Sequence, residues 1–301
     1  MPSSRTATYA TLGLLAMTAV WGSTFVLIKD VVGRMPVADF LAVRFAIAAL
    51  AMLALFGRQV RRMSRLQLWR GTLLGVVYGV AQLLQTWGLA LISPSVSGFA
   101  TGMYVVFTPL LALVLLRQKM AVSVWLAVGL ATAGLALLSL NGFSVDAGVW
   151  LTLAAAALYA LQIIGLGQWS QPGEAAGLAC VQTVAIAMVC MLATAPRGPL
   201  LPPDAGAWLA VLYMALIAGA GAMLMQTWAQ GHLPATRAAI VMTTEPVFAA
   251  AFAVALGGDV LTWRMLGGGA LVLAAMYVVE LAPRRRNASG AAPIEAMHHE
   301  L

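Results

Sequence analysis

The chain has 301 residues, of which 62% are hydrophobic and 9% charged, with a net charge of +7. So little charge excludes a soluble globular domain, whose surface needs far more, and long unbroken apolar runs exclude a β-barrel, which needs alternation. Positive charge points to nucleic acid in a soluble protein; here the basic residues cluster at the ends of apolar segments, where membrane topology accounts for them, and no nucleic-acid partner is expected.

Ten apolar segments follow one another, at 9–29, 37–57, 68–91, 95–116, 121–139, 147–169, 174–194, 206–228, 236–256 and 262–281. Each is close to the roughly 20 residues that cross hydrocarbon as a helix. The expected fold is an all-α polytopic membrane protein with ten transmembrane helices. The first segment is too long for a signal-peptide core and lacks a clear small-residue cleavage site, so it reads as a retained helix. The joins around Pro94, Gly173 and Pro234 are short enough to force tight hairpins. No loop is long enough to house a soluble domain.

Charge sets the orientation. Arg58, Arg61, Arg62, Arg65 and Arg70 occupy the second loop, Arg117 and Lys119 the fourth, and Arg284 to Arg286 follow the last segment. With ten crossings these fall on one side, together with Arg5 and Arg237. The other side has Lys29, Arg34, Arg197 and Arg264, diluted by Asp30, Asp39, Asp146, Asp204 and Asp259. The positive-inside rule then puts both termini in the cytoplasm of a multi-pass protein of the cell membrane.

Few residues suggest chemistry of a catalytic kind. Cys180 and Cys190 share one apolar segment and form neither a disulfide framework nor a metal pattern, and His232, His298 and His299 make no spaced ligand set. The run Gly267 to Gly269 has no preceding strand and therefore no phosphate-loop meaning. No catalytic residue, metal or cofactor is expected, and direct ATP drive has no motif in this chain.

The halves carry the same local plan. Gln85-Thr86-Trp87 and Gln226-Thr227-Trp228 each lie in an apolar segment and precede a proline turn, at Pro94 and Pro234. A shift of 138 sets Trp21 on Tyr159 and Arg44 on Gln182; a shift of 140 sets Pro94 on Pro234, Lys119 on Asp259 and Gly129 on Gly269; the Gln-Thr-Trp match needs 141. Five helices is an odd number, so the second half enters the membrane from the opposite side. The expected organisation is two inverted-topology repeats, 9–140 and 147–281, with a polar cytoplasmic tail at 282–301. Such pairs exchange roles as one face opens and the other closes, the geometry of alternating access.

In these features the chain resembles the EamA family of the drug/metabolite transporter superfamily, over nearly all of residues 9–281. The matching residues are Ala19-Val20-Trp21-Gly22-Ser23-Thr24-Phe25 and Arg44-Phe45 in the first half. In the second they are Leu233-Pro234-Ala235-Thr236-Arg237-Ala238-Ala239, Glu245-Pro246-Val247-Phe248, Gly258-Asp259 and Leu266-Gly267-Gly268-Gly269-Ala270. The family usually ends both halves with Gly-Glu. Here the second ends with Gly258-Asp259 and the first with Gln118-Lys119, a reversal of charge. The resemblance implies transport of a small organic metabolite, often export of amino acids or related compounds, without selecting one.

The polar residues inside apolar segments are the candidate site. Arg44 is costly in mid-membrane and should face a wet cavity, an acid or backbone carbonyls. Its fork suits a substrate carboxylate; a structural tie between helices or a snorkelling position is the plainer reading. Glu245 is the one acid well inside an apolar segment, placed to carry a coupling proton or meet an ammonium. A cytoplasmic-side contact with Arg237 is the alternative. Pro246 and Pro109 are candidate bends or gates, the latter beside Tyr104, Phe107 and Thr108. Gln82, Gln85, Gln226, Tyr104 and Tyr159 offer amides and phenols suited to an organic solute, with Trp21, Gln162 and Gln182 completing the cavity. Helix–helix hydrogen bonding is the competing explanation for the amides. The reading is a secondary transporter, monomeric or homodimeric, that works among membrane lipids by alternating access, with protons as a plausible coupling ion. The alternative is a facilitative channel or uniporter.

Overall fold

Backbone polar groups in hydrocarbon are satisfied only within helices or closed barrels, and the computed structural model is helical almost throughout. It describes residues 4–116, 122–141, 144–171, 173–195, 197–233, 241–242 and 244–281. The first half contains α1 (Ser4–Val32), α2 (Val37–Val60), α3 (Arg65–Leu91), α4 (Pro94–Gly102), α5 (Tyr104–Leu116) and α6 (Val122–Ser139). A short antiparallel ribbon, β1 (Leu140–Asn141) with β2 (Ser144–Val145), leads into the second half. There follow α7 (Ala147–Trp169), α8 (Ala175–Leu192), α9 (Ala205–Ala215), a π turn at Leu216–Gly221, α10 (Ala222–Gln230), α11 (Glu245–Leu256) and α12 (Trp263–Leu281).

Seven stretches are long and apolar enough to cross a membrane: Thr6–Val32, Val37–Val60, Arg65–Leu91, Pro94–Leu115, Ala147–Trp169, Ala175–Leu192 and Ala205–Gln230. The expected segments at 121–139, 236–256 and 262–281 are represented by shorter apolar helices, Trp125–Leu138, Glu245–Leu256 and Trp263–Val278. Residues 236–240, Lys119, Arg237 and the tail from 282 lie outside the described residues.

Two expected continuous helices are interrupted. The fourth breaks at Met103 rather than at Pro109. There the Met103 N–H bonds Ala100 O and the Val106 N–H bonds Met103 O, the tighter i−3 pattern, while Pro109 stands inside α5. The eighth contains the π turn, which no proline announces. Pro246 occupies the first turn of α11, where a missing N–H costs no hydrogen bond.

Local chemistry starts and stops the helices. Ser64 and Gln67 form a reciprocal capping box at the start of α3, with Ser64 Oγ accepting from Gln67 N–H and Gln67 Oε1 accepting from Ser64 N–H. Ser93 caps α4, whose first residue is Pro94. The helices then interleave across the halves: α2 lies on α8, α6 on α12, α4 on α11, α3 on α7 and α8, and α1 on α10 and α11. Phe40, Leu41, Met52, Leu89, Ile186 and Met214 are fully buried between them.

Without water to drive helices together, close approach depends on small residues. At Gly75 of α3 the chain leaves no room: a Cβ there would stand 2.4 Å from the Gln182 carbonyl oxygen of α8. Gly129 of α6 has nothing within 4 Å of the same point. Gly75→Ala is therefore expected to force α3 away from α8 and cost about 1–3 kcal/mol. Gly129→Ala should be neutral or slightly stabilising. Thermal unfolding of the two variants in detergent micelles checks the contrast.

Candidate functional site

The polar residues of the apolar helices converge on one central cavity. Its wall is formed by Trp21, Thr24, Phe25 and Ile28 of α1, Arg44 of α2, and Tyr78, Gln82 and Gln85 of α3. Thr101 of α4, Tyr104 of α5, Tyr159, Gln162 and Ile163 of α7, Gln226 of α10, Met242 and Glu245 complete it. Its solvent-accessible volume of about 50 Å³ holds a few waters, so the walls must part for an organic solute to enter.

A neutral network fixes one wall. Gln82 Nε2 donates to Tyr159 Oη (2.7 Å), Tyr159 Oη donates to Gln85 Oε1 (2.7 Å), and Gln85 Nε2 donates to Thr101 Oγ1 (3.0 Å). The Tyr78 ring meets the Tyr159 ring edge-on at 5.0 Å. One phenol therefore joins α3 and α7, and the amides carry the link to α4.

The opposite wall rests on irregular backbone. Trp21 Nε1 donates to Ala218 O within the π turn (2.9 Å), and Arg44 Nε donates to Met214 O just before it (3.2 Å). A π turn loosens the helical ladder and often marks a functional position. The Arg44 guanidinium also lies over the Phe45 ring, 4.9 Å from its centre. Its Nη1 is buried with no hydrogen-bond partner, as are Oε1 of Gln82 and Oε1 of Gln226. Buried polar atoms are almost always paired, so a cation and two acceptors around one cavity mark a place where a polar ligand or water completes the bonding.

Glu245 stands beside Tyr104. The Tyr104 hydroxyl lies 3.2 Å from Glu245 Oε2 and 3.2 Å from Met242 O. Met242 is four residues before Pro246, and proline cannot donate to that carbonyl. The Met242 carbonyl, which Pro246 cannot reach, is met by Tyr104 instead.

Nine of the ten residues read from the sequence, Trp21, Arg44, Gln82, Gln85, Tyr104, Tyr159, Gln162, Gln226 and Glu245, stand around this cavity. Gln182 does not. It is fully buried behind the wall, where its Oε1 accepts from Gln162 Nε2 at 3.0 Å and its own amide bonds Leu178 O. Gln162 takes up the amide that would otherwise face inward. Pro109 and Pro246 also lie off the wall, although Pro246 packs against Gly102 of α4. Sequence reasoning missed Thr24, Tyr78 and Thr101. A hydroxyl in an apolar helix commonly satisfies its own backbone, as Thr24 does with Trp21 O, so it carries little signal alone.

The sequence profile of the EamA-like transporter family matches residues 8–140 and again residues 146–281. The chain is 28% identical over 277 residues to an uncharacterized transporter of Archaeoglobus fulgidus, covering 91% of this chain and 86% of that protein. It is similar in fold to a protein of known crystal structure, with a TM-score of 0.64 over 94% of this chain and 99% of that one, at 20% identity.

Tyr159→Phe removes the hydroxyl that accepts from Gln82 and donates to Gln85, leaving these two buried amide groups only their long 3.5 Å contact with each other. The expected cost is about 1–3 kcal/mol, read as a lowered melting temperature of the purified protein in detergent.

Proposed function

We propose that this chain, which belongs to the EamA-like transporter family, is a secondary transporter that carries a small organic metabolite, an amino acid or related zwitterion, across the cytoplasmic membrane by alternating access. It is a multi-pass membrane transporter. The observation that carries the finer reading is the pair Arg44 and Glu245. Both are buried in the wall of one cavity, and among the described residues no ion pair joins them to each other or to anything else. Opposite charges left apart in a low-dielectric space attract a solute that carries both complements. Arg44 is the carboxylate subsite and Glu245 the ammonium subsite, with the glutamine wall between them supplying donors and acceptors.

Alternating access is supported by the way the halves fit. Three pairs of lining residues correspond between the halves: Trp21 with Tyr159, Thr24 with Gln162, and Gln85 with Gln226. The packing pairs exchange in the same sense, with α3 on α7 matched by α1 on α10. Both patterns suit two inverted five-helix repeats, 9–140 and 147–281, around an axis through the cavity. The exposed Arg58, Arg61, Arg62 and Arg65 gather at the end of the bundle where α1 begins, which favours cytoplasmic termini. Export follows the family resemblance, and Glu245 is the group placed to exchange a proton for solute.

Counterflow in proteoliposomes tests this, with a panel of amino acids, amines, nucleosides and neutral drugs. Saturable exchange restricted to zwitterions is expected; conduction without saturable exchange would make the protein a channel. Arg44→Gln should weaken apparent solute affinity by about tenfold or more, the loss of one charged hydrogen bond. In sealed liposomes an imposed pH gradient should drive uptake, and Glu245→Gln should abolish that response while exchange at equal pH continues. Undiminished gradient-driven flux in Glu245→Gln would remove the proton role.

A further inference from the structure

All three ion pairs among the described residues lie at one end of the bundle, the end where α1 finishes. Arg34 bridges Asp204, which caps α9, at 2.6 Å and also pairs with Asp30; Arg197 reaches Asp39 at the start of α2 at 2.9 Å. Lys29 Nζ donates to three carbonyls at the finish of α3, those of Leu89, Ala90 and Ile92, each at 2.9 Å. Asp259 Oδ2 accepts from both the amide (3.2 Å) and the hydroxyl of Ser95, in the first turn of α4. Lys29 and Asp259 thus hold the same short stretch from the end of α3 to the start of α4, at Ile92 and at Ser95. Gly258, with φ of +75°, makes the turn that sets Asp259 there, a conformation other residues resist.

These contacts form a roof over the cavity. Lys29 follows the lining residue Ile28, Leu89 is one turn beyond Gln85, and Ser95 is six residues before Thr101. At 1.5 Å per residue the roof stands roughly 6–9 Å above the polar wall. The opposite end is tied differently. Among the described residues no ion pair is found there: Ser170 Oγ donates to Thr227 O at 3.1 Å, the Thr18 and Thr244 hydroxyls meet at 2.9 Å, and the Arg70 guanidinium lies over the Trp169 ring, 5.5 Å from its centre. The repeat offset sets Lys119 opposite Asp259 and Ala235 opposite Ser95. Neither letter offers the carboxylate or the hydroxyl from which a matching tie at that end would be built.

We propose that Lys29, Asp259 and Ser95 are the gating residues of the transport cycle: a charged latch that joins α1, α3, α4 and the turn after α11, holds this end shut in the resting protein, and must part for solute to pass there. The inference rests on the transporter reading. It assigns the second-half Gly-Asp a role that its first-half counterpart, Gln118-Lys119, has no chemistry to share. It also makes the cycle asymmetric, since among the described residues the ion pairs stand at this end. The outer bridge of Arg34 to Asp204 is auxiliary. The Ala207 amide and then the Arg34 guanidinium hold the Asp204 carboxyl below its ordinary range, so that bridge persists at neutral pH and is lost only as pH falls through the lowered value. Its exposure limits its strength.

Distances across the closed end test the latch without any solute. Spin labels are placed at the exposed Leu201 and Val260, in a background with Cys180 and Cys190 replaced by alanine, and read by pulsed electron resonance in lipid nanodiscs. The unaltered latch should give one dominant short distance. Asp259→Asn, Lys29→Met and the milder Ser95→Ala should each raise the longer-distance population, the first two by about tenfold. Asp204→Asn should raise it less than about fivefold. Distances unchanged in Asp259→Asn and Ser95→Ala, both eluting as folded protein, would overturn the latch. Longer distances in a protein that moves no solute in counterflow would uphold the latch and remove the transport reading.

Discussion

A guanidinium in the middle of an apolar bundle must be held by protein, because hydrocarbon offers it neither counter-charge nor hydrogen bonds. Arg44 is held on one side by the Met214 carbonyl and on another by the Phe45 ring, which leaves part of its donor fork unused. Much of the interior follows from that constraint. The carbonyl it needs borders a π turn, and the same turn receives the Trp21 indole, so the two large polar side chains of the first half are anchored to irregular backbone of the second. A regular α9–α10 helix would have kept those carbonyls for itself.

Across the cavity the bonding is of another kind. The Gln82, Tyr159, Gln85 and Thr101 chain is neutral and linked end to end, which makes it a rigid wall with Gln82 Oε1 left open to a ligand or water. Among the described residues Glu245 is steadied by Tyr104. One charge is fixed to backbone, the other to a phenol, and a neutral wall separates them. Lys29 and Asp259 close the space above them, Asp259 lying beyond the far end of the helix that Glu245 begins. Each is satisfied by backbone or hydroxyl partners, so the roof does not compete for the cavity charges.

How much of this was legible in the sequence depends on the residue type. A glutamine, arginine or glutamate in an apolar segment has few places to go, and for that reason nine of the ten expected residues share one space. Gln182 shows the limit: an amide can be satisfied by a neighbouring amide, and only packing tells which of the two faces inward. The breaks were less legible. Pro109 suggested a bend that occurs at Met103, and the π turn has no proline at all, only Gly219 and Gly221 to relax the chain. The latch was hidden because charges were summed side by side rather than paired. Lys29, Arg34, Asp204 and Asp259 were read as one side's diluted charge, which is true of their sum, whereas their pairing depends on helix ends that sequence order does not bring together.

The central claim is that Arg44 and Glu245 form two halves of one zwitterion site. The most direct measurement is equilibrium binding to the purified protein, followed by Trp21 fluorescence in a variant lacking the other tryptophans' response. Amino acids are compared with their amides, which lack the carboxylate, and with their deaminated acids, which lack the ammonium. The account predicts that removing either charge from the solute weakens binding by about tenfold or more. It also predicts that Arg44→Gln erases the penalty for the amides alone and Glu245→Gln the penalty for the deaminated acids alone. Equal binding of all three solute forms, or penalties untouched by either substitution, would contradict it.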